Sequence, residues 1–235
     1  MGVNSMQIHG FNKTTLLDYP GLVAATIFTG ACNFRCPYCH NADLVLNPSS
    51  QPIIPEDEIL SHLRKRKGIT QGVCITGGEP TLQKDLKDFI KKLKELDLKV
   101  KLDSNGYKPE VLKDLVKDNL LDYIAMDVKA PLDEYDVIAG VKLDTSKLKE
   151  SIDFLIAGDL PFEFRTTVIK DFHTRESFEK ISELIKGAKN YYLQGYIDSP
   201  NVIQPGLTSY TYEEMQEFLP IFEGKVEHVE IRGVE

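Results

Sequence analysis

The stretch Gly30-Ala-Cys-Asn-Phe-Arg-Cys-Pro-Tyr-Cys-His40 restricts the fold and the chemistry of this chain more than any other. It places Cys32, Cys36 and Cys39 in the spacing C-x3-C-x2-C, with an aromatic residue directly before the last cysteine. Three thiolates on one short loop can bind three irons of a 4Fe–4S cube and leave the fourth iron without a protein ligand. A small molecule can bind and react at such an open iron, so the loop predicts an enzyme.

Parts of this cysteine loop also match other cysteine motifs. Cys36-Pro-Tyr-Cys39 is typical of glutaredoxin-like thiol redox proteins, and Cys36 to His40 matches the attachment motif of c-type haem. A thiol redox motif leaves Cys32 without a role, and haem attachment normally requires export. A zinc site of the three cysteines and His40 stays open, although adjacent Cys and His side chains rarely reach one metal. The iron–sulfur interpretation is favoured.

The composition is that of an ordinary soluble globular protein. The chain has 235 residues, of which 42% are hydrophobic and 27% charged. No apolar run approaches the roughly 20 residues of a membrane-spanning helix. The N-terminus lacks the basic flank and apolar stretch of a secretory signal, so we expect a cytoplasmic protein without a membrane partner. A net charge of −8 argues against nonspecific binding to nucleic acid.

Strand-like apolar runs alternate with helical patterns along the chain, which predicts an α/β fold with a parallel sheet. There are about six strand–helix units, fewer than the eight of a closed barrel, so we expect a partial (β/α)6 TIM-like barrel with parallel strands. Without a Gly/Ser/Pro-rich linker, residues 1–235 are predicted to form one domain. The cysteine loop follows the first of these strands, at the end where such folds carry their chemistry. Pro109 is predicted to open a helix at its first turn, and Thr211-x-x-Glu214 is predicted to be the capping box that begins the last helix. The predicted strands are 22–28, 72–76, 98–103, 123–128, 162–169, 190–194 and 226–231.

Polar motifs follow several of these predicted strands. Taken by themselves, Gly77-Gly-Glu-Pro80 and Asn105-Gly106 are typical of turns. Asp127 and Lys129 are two residues apart on a strand and therefore share a face, as a surface ion pair or as part of a site. Arg165, on the fifth strand, either forms an internal salt bridge or faces a ligand. The residues alone leave these alternatives open.

The cysteine loop resembles the signature of the radical S-adenosylmethionine (SAM) superfamily, and the further motifs follow in the order typical of it. In that family the amino and carboxylate groups of SAM chelate the open iron. The reduced cluster donates an electron to the sulfonium, and the products are methionine and a 5′-deoxyadenosyl radical. The resemblance implies two cofactors: SAM, and a 4Fe–4S cluster held by the catalytic cysteines Cys32, Cys36 and Cys39.

The same resemblance implies a set of SAM contacts. Glu79 and the adjoining glycine carbonyls would accept hydrogen bonds from the SAM ammonium, and Gln194 would reach the adenosine. Asp103 and Asp127 are a weaker candidate pair for a monovalent cation. His173 is expected to be a loop or cap residue, and Cys74 a buried core residue. The predicted SAM contacts are Tyr38, Gly77, Gly78, Glu79, Ser104, Asn105, Asp127, Lys129, Arg165 and Gln194.

Two stretches narrow the resemblance further. The run His9-Gly-Phe-Asn-Lys-Thr-Thr-Leu-Leu-Asp-Tyr-Pro-Gly21 and the residues from Phe28 to Asn41 look like the activating proteins of anaerobic ribonucleoside-triphosphate reductase. Pyruvate formate-lyase activating enzymes are close relatives. Such enzymes form a radical on a glycine of a large partner enzyme and receive electrons from flavodoxin or ferredoxin. We expect the loops 47–52 and 198–206 to border the groove that admits the partner's glycine loop.

Two other function classes stay open. A small-molecule radical SAM enzyme of similar length, such as 7-carboxy-7-deazaguanine synthase, is the strongest alternative, although that family carries a Gly-Glu-Gly pattern before its cysteines. This chain has Leu17-Asp-Tyr-Pro-Gly21 there. A non-catalytic electron carrier is the third class, but it gives no reason for Glu79 or for the pair of Asp127 and Lys129.

Overall fold

The computed structural model describes residues 6–234, which contain eight strands and eight helices. The strands are β1 (Ile8–Thr15), β2 (Ala24–Thr29), β3 (Gly72–Gly77), β4 (Lys99–Ser104), β5 (Tyr123–Asp127), β6 (Phe162–Val168), β7 (Asn190–Gly195) and β8 (His228–Arg232). The helices are α1 (Ala42–Leu46), α2 (Glu56–Lys65), α3 (Leu86–Lys94), α4 (Pro109–Lys117), α5 (Tyr135–Ala139), α6 (Thr145–Ala157), α7 (Arg175–Leu184) and α8 (Tyr212–Gln216). Short 3₁₀ helices cover Pro48–Ser50, Pro80–Leu82 and Leu219–Phe222.

The strands follow one another in the sheet in the order in which they occur along the chain. β1 is antiparallel to β2, whereas β2, β3 and β4 pair in parallel, as do β6, β7 and β8. Doubly wound folds reverse the strand order at a switch point, and barrels keep it. The predicted class, an α/β fold of partial-barrel type with mostly parallel strands, is confirmed.

The described chain divides into two compact units. The first comprises residues 6–33, 43–104 and 110–124, and the second comprises 34–42, 105–109 and 125–234. The prediction of one domain over residues 1–235 stays a prediction, and its residues 1–5 and 235 lie outside the described part.

The core of the first unit comes from the apolar stripes of its helices and from its parallel strands. α2 and α3 each bury one face, and β3 is buried along four successive residues, as is typical of parallel strands covered on both sides. α4 begins with Pro109, as predicted, because proline suits the first turn of a helix. These elements place the ends of β2, β3 and β4 side by side.

The second unit contains two helices that begin at capping boxes. The predicted box at Thr211 is confirmed, since its side chain accepts from the Glu214 amide and Glu214 reaches back to the Thr211 amide. A second box, at Thr174 with Ser177 in the third helical position, was not predicted because serine replaces the usual Glu or Gln. No described helix is both long and apolar enough to cross a membrane.

β1 is the one strand that sequence analysis did not predict. Its middle residues, from Asn12 to Thr14, are exposed and polar, and its register with β2 is irregular at two points. The alternation of apolar and polar residues is therefore too weak to indicate a strand. The other strands lie within about two residues of the predicted positions, which is the usual uncertainty of element ends.

Candidate functional site

The cysteine loop begins in the first unit, where the turn after β3 holds its backbone. The amide of Gly78 donates to the Thr29 carbonyl at 2.8 Å, and the amide of Glu79 donates to the Ala31 carbonyl at 2.8 Å. A Cβ on Gly78 would lie 2.0 Å from the Ala31 carbonyl oxygen, so only glycine permits this approach. The turn predicted to bind SAM therefore also fixes the residue before Cys32.

Glu79 is a buried carboxylate, only 1% exposed. Its Oε1 accepts from the Thr81 hydroxyl at 2.6 Å, from the Thr81 amide at 3.1 Å and from the Ser104 hydroxyl at 2.9 Å. A buried charge needs such donors, because desolvation alone would make it costly. The structure thus brings Glu79 and Ser104 together, two of the predicted SAM contacts.

A second buried polar group of the first unit surrounds Asp103. The Lys101 ammonium is 2% exposed and contacts Asp103 Oδ1 directly. The Cys74 thiol, which is fully buried as expected, lies 3.8 Å from Lys101 Nζ and 3.5 Å from the Asp103 carboxylate. Asp103 therefore has a lysine as its counter-charge within its own unit.

The rest of the cysteine loop belongs to the second unit and is held at three backbone points. The Arg35 amide donates to the Ala139 carbonyl at 2.7 Å, and the Cys39 amide donates to the Cys36 carbonyl at 3.0 Å. The Pro37 carbonyl accepts from the Gln204 amide at 2.7 Å. All of these partners are backbone groups, so the loop's path does not depend on the cysteine side chains. The thiols can therefore serve as ligands.

The thiols of Cys36 and Cys39 are not in disulfides. Cys36 is buried and Cys39 half-buried, and burial raises the pKa of Cys36 to about 11 and that of Cys39 above its usual range. Both are thus protonated at neutral pH without a bound cation. Because metal ligands must be thiolates, cluster binding would release protons from this loop.

His40, the fourth member of the alternative zinc set, contacts a different segment. Its Nε2 lies 2.7 Å from the Ile197 carbonyl oxygen, and its ring centroid is 5.7 Å from that of Tyr196. Among residues 6–234, no three or more His, Cys, Asp or Glu side chains are grouped so that they could hold one metal ion. A 4Fe–4S cluster does not require its ligands to meet at one ion, since each cysteine binds a different iron of the cube.

Tyr38, between the two cysteines of the second unit, has an unusual environment. Its side chain is buried, and its hydroxyl has no hydrogen-bond partner in the described part of the chain. Buried hydroxyls are nearly always paired, so this one is a position where a bound molecule would supply the partner. Tyr38 stays a predicted SAM contact.

Asp127, Lys129 and Arg165 form one ion cluster in the second unit. Asp127 Oδ2 is 3.1 Å from Lys129 Nζ, and its Oδ1 accepts from Arg165 Nε at 3.0 Å and lies 3.0 Å from Nη2. Burial opposes ionisation of the carboxyl, but the two cations outweigh it and lower the pKa of Asp127 to about 2. The structure therefore joins three of the predicted SAM contacts, as a charged cluster with an excess positive charge.

His173 lies in the loop between β6 and α7, directly before the N-cap Thr174, in agreement with the expectation of a loop or cap residue. The Ile169 amide donates to its Nδ1 at 3.1 Å, so the proton is on Nε2, which donates to the Lys129 carbonyl at 2.8 Å. The ring is fully buried, and burial lowers its pKa below the ordinary 6.5. The neutral imidazole thus ties the backbone of Lys129 to the end of β6.

The last two predicted SAM contacts lie elsewhere in the second unit. Asn105 is 5% exposed, and its Oδ1 accepts from the Tyr107 amide at 3.0 Å in an Asx turn. Gln194 is the last residue but one of β7, beside Thr167 of β6, and it lines a cavity of about 220 Å³. Asn105 is therefore at least a turn residue, whereas Gln194 faces space that a ligand can occupy.

Two residues of this region, Gln83 and Arg232, carry no local sequence signal for their roles. The Gln83 amide group donates to the Gly30 carbonyl at 2.8 Å, and its oxygen accepts from the Gln7 amide at 3.0 Å. Arg232 lines the same cavity as Gln194. Neither residue belongs to a local motif. Each has a role only through contacts with residues that are distant in the sequence.

Each unit contains side chains of the chemical types that the two implied cofactors need as ligands or hydrogen-bond partners. Three thiols that are not in disulfides suit iron, and the first unit offers a buried carboxylate and a close glycine turn for an ammonium. The second unit offers two cations for a carboxylate and an unpartnered buried hydroxyl. These are the groups needed to hold an amino acid beside a metal cluster. The individual assignments stay predictions.

Comparison with other proteins gives the following matches. The sequence pattern of the Radical SAM superfamily matches residues 26–192. A Methanocaldococcus jannaschii protein provisionally assigned as a glycyl-radical enzyme activating enzyme is 32% identical over 194 residues, covering 80% of this chain and 79% of that protein. The pyruvate formate-lyase-activating enzyme of Clostridium pasteurianum is 29% identical, covering 78% of each chain. A GTP 3′,8-cyclase of Helicobacter pylori is 32% identical, covering 80% of this chain and 57% of the cyclase.

Two solved structures share the fold at low sequence identity. Streptococcus suis SuiB bound to S-adenosylmethionine has a TM-score of 0.67 and 16% identity, covering 86% of this chain and 48% of SuiB. A domain of a pyruvate-formate lyase-activating enzyme from Bacteroides vulgatus has a TM-score of 0.56 and 17% identity, covering 69% of this chain and 99% of the domain. The chain thus spans about half the length of SuiB. At these identities the likeness concerns the fold alone.

Proposed function

Since this chain belongs to the radical SAM superfamily, we propose that it is an activating enzyme that forms a glycyl radical on a separate partner enzyme. The observation that carries the proposal is the match to two activating enzymes over nearly four-fifths of both chains. The finer proposal is that the partner is an anaerobic ribonucleoside-triphosphate reductase. It is supported by the resemblance of residues 9–21 and 28–41 to the activating proteins of that reductase.

In this proposal the cofactors are a 4Fe–4S cluster on Cys32, Cys36 and Cys39, and SAM on the ten residues predicted above. The reduced cluster would supply one electron to SAM, whose S–C5′ bond would break to give methionine and a 5′-deoxyadenosyl radical, and this radical would take a hydrogen atom from glycine. Flavodoxin or ferredoxin is the proposed electron donor, as in similar activating enzymes. In the assay proposed below, an added reductant takes the place of this donor.

The protein's own contribution is the placement of fixed charges. Three donors bond to one oxygen of Glu79, so its carboxyl group is already fixed in position when an ammonium approaches. The cluster of Asp127, Lys129 and Arg165 carries one excess positive charge for a carboxylate. Such preorganised groups bind and orient an amino acid without reorganising at the moment of reaction. Fixed orientation is what a radical reaction needs to avoid side reactions.

A monovalent cation near Asp103 and Asp127 is a weaker part of the proposal. Each carboxylate already contacts a cationic side chain of its own unit, Lys101 for Asp103 and Lys129 for Asp127. These contacts reduce the negative potential that a cation would require. We therefore expect any such cation to bind weakly.

The second candidate function is a small-molecule radical SAM reaction. The identity with the Helicobacter pylori GTP 3′,8-cyclase favours it, although the match covers 57% of the cyclase. A nucleotide substrate would need cationic groups beyond those that bind SAM. An activating enzyme is therefore expected to bind a partner protein, and the second candidate is expected to bind a nucleotide.

The experiment that tests the proposal is an anaerobic reconstitution with iron and sulfide, followed by reductant and SAM. We expect 5′-deoxyadenosine from the wild type and none from Cys36→Ala. The holoenzyme is then mixed with an anaerobic ribonucleoside-triphosphate reductase, with a pyruvate formate-lyase, or with GTP. A glycyl signal in electron paramagnetic resonance supports an activating enzyme and identifies its partner. SAM cleavage with GTP consumption and without any glycyl radical would favour the second candidate.

The groove prediction has its own test. We expect the partner to protect loops 47–52 and 198–206 from hydrogen exchange, because a peptide must reach the reacting atom while water stays out. Protection that spares both loops would remove them from the proposed groove.

A further inference from the structure

A cavity of about 230 Å³ lies in the first unit, between β1 and α2. Phe11 and Lys13 are two residues apart on β1 and therefore share a face of the strand. The residues that α2 contributes recur at helical spacing and therefore form one stripe along the helix. The lining residues are Phe11, Lys13, Glu58, Ser61, His62 and Lys65. The cluster and SAM assignments made above use none of these residues.

This cavity is distinct from the predicted SAM site. β1 is antiparallel to β2, and its first residue, Ile8, pairs with Thr29, which leads into the cysteine loop. Phe11 and Lys13 lie farther along β1, toward its other end. The predicted SAM contacts all belong to the described part of the chain, and none of them lines the cavity. A ligand bound here would therefore not occupy the position of SAM.

Two buried nitrogens at the end of α2 lack hydrogen-bond partners. The His62 ring packs edge to face on the Phe11 ring, with the centroids 5.4 Å apart. The Nε2 of His62 is buried, and residues 6–234 offer it no partner. The same holds for the Nε of Arg66, the C-cap residue of α2. Buried polar groups are nearly always paired and arginine can only donate, so this end of the helix lacks a hydrogen-bond acceptor.

The charges around the cavity favour an anion. Burial and then the charges of Lys13, Arg66 and Lys65 lower the pKa of His62. These three cations form no ion pair within residues 6–234. Glu58 is the one carboxylate among the lining residues. The cations therefore exceed the carboxylate by two charges.

The position of these cations near a helix end explains only part of the arrangement. Basic residues in the last turn of a helix stabilise it by interacting with the helix dipole, and Lys117 of α4 is placed in the same way as Lys65. The dipole gives no reason for Lys13, which belongs to a strand. It gives no reason for the buried unpaired nitrogens either. A ligand accounts for both.

Charge and donor count select the class of this ligand. A phosphate monoester carries about 1.5 to 2 negative charges at neutral pH and three strong acceptor oxygens. That charge matches the excess of the cavity, and the side chains of Lys13, Ser61 and Lys65 are available as donors. A carboxylate has one charge and two oxygens, so it would leave more of these donors without an acceptor. Sites for whole drug-sized molecules have volumes of about 300–1,000 Å³. A cavity of about 230 Å³ suits a phosphate group with few further atoms.

We propose that this cavity is a second ligand site of the chain and binds a phosphate group, with Lys13 and Lys65 supplying the charge and His62 a hydrogen bond. The phosphate group belongs either to free phosphate or to a small phosphate ester. SAM contains no phosphate, so the site adds a ligand that the proposed function does not require. The proposal is therefore independent of that function.

The test is anaerobic calorimetric titration of the reconstituted full-length chain, freed of excess iron and sulfide, with inorganic phosphate and with ribose 5-phosphate at constant ionic strength. We expect a dissociation constant of about 1 mM or below for at least one of the two probes. The double variant Lys13→Gln/Lys65→Gln should raise this constant by more than about tenfold and change that of SAM by less than about twofold. Both lysines are exposed, so the double variant is expected to fold. Lys117→Gln is the matched control, because it removes an exposed lysine from the last turn of α4, and it should bind phosphate like the wild type.

The imidazole of His62 gives a second readout. An anion bound beside the ring favours its protonated form, so saturating phosphate should raise the pKa of His62 measured by nuclear magnetic resonance. The absence of the signal in His62→Gln assigns the resonance. An unchanged pKa of His62 at saturating phosphate would place the bound phosphate elsewhere and overturn the proposal.

Three further outcomes would overturn it. These are failure of the wild type to bind either probe, equal affinity in the double variant and the wild type, and binding of acetate as tight as that of phosphate. Tighter binding of ribose 5-phosphate supports a phosphate ester as the ligand, and tighter binding of inorganic phosphate supports free phosphate. The activating function is judged separately by 5′-deoxyadenosine and the glycyl radical, so the absence of these products alongside intact phosphate binding refutes only that function.

Discussion

The amide of Glu79 donates to the carbonyl oxygen of Ala31 at 2.8 Å, so the turn after β3 and the start of the cysteine loop form one backbone unit. The neighbouring Gly78 makes this contact possible because it has no side chain, and the Ala31 carbonyl leaves no room for one there. A single glycine therefore affects both the predicted ligand of SAM and the predicted ligand of iron.

Gly78→Ala tests this connection. A Cβ 2.0 Å from the Ala31 carbonyl must displace the backbone, at a cost of about 1–3 kcal/mol for an overpacked position. We expect reconstituted protein with reduced iron content and a SAM affinity lowered by more than about tenfold, measured by iron analysis and equilibrium binding. Gly158→Ala is the control. The new Cβ would lie 3.2 Å from its nearest neighbour, the Phe154 carbonyl oxygen, and Gly158 is far along the chain from both Glu79 and Cys32. Full iron and SAM binding in Gly78→Ala would contradict the connection.

Asp127→Asn should destabilise the second unit. Lys129 and Arg165 are 15% and 14% exposed, and the substitution removes a carboxylate charge that both contact. Loss of one partner of a buried pair costs roughly 3–5 kcal/mol, and we expect the lower end because Asp127 is 31% exposed. Urea unfolding of the wild type and of Asp127→Asn measures the difference. Asp133→Asn, which removes an exposed partner of Lys180, should change stability by less than about 1 kcal/mol.

His173 predicts how stability depends on pH. Because burial lowers its pKa in the folded chain below 6.5, the unfolded chain binds a proton first as the pH falls. The contribution of neutral His173 is therefore complete above pH 6.5 and decreases below it. Urea unfolding of the reduced, cluster-free chain at pH 7.5 and 5.5 should show this loss.

His173→Gln is expected to abolish most of that pH dependence, since glutamine keeps a donor for the Lys129 carbonyl and does not titrate in this range. His228→Gln, at a position 55% exposed, is the matched control and should keep the wild-type pH dependence. An unchanged slope in His173→Gln would place the pH dependence on another group.

The ion pairs of Asp103 and Asp127 predict a weak response to monovalent cations. Replacing sodium and potassium chloride by choline chloride at constant ionic strength should change the SAM affinity by less than about twofold. Lys101→Met removes the ammonium beside Asp103, so this variant should gain a dependence on potassium or sodium that the wild type lacks. A strong cation requirement in the wild type would show that Lys101 does not serve as the counter-charge.

Much of the fold could be predicted because its signals are local. The apolar stripes of α2 and α3, the proline that opens α4 and the capping box at Thr211 each depend on a few neighbouring residues. The weakly alternating β1 has no such signal. The motifs of the cysteine loop and of Glu79 could be found for the same reason, since their chemistry depends on spacing within one turn.

The other parts of the site could not be predicted, because they depend on contacts between distant residues. Nothing near His40 indicates that it meets Ile197, and nothing near Arg232 indicates that it stacks on Tyr192. His173 lies in a loop as expected, but its position does not indicate that its two ring nitrogens bond to backbone groups of different segments. Only the folded chain defines these relationships.

The segment 197–204 is bonded to Pro37, directly after Cys36, and to His40, directly after Cys39, and about 160 residues of chain separate this segment from the cysteines. During synthesis the cysteines leave the ribosome roughly 10–30 s before their supporting segment, at ordinary elongation rates. For that interval the thiols are exposed to oxidation and to stray metal ions. The environment described here exists only after nearly the whole chain has been made, so correct loading with iron and sulfide is an event of the finished polypeptide.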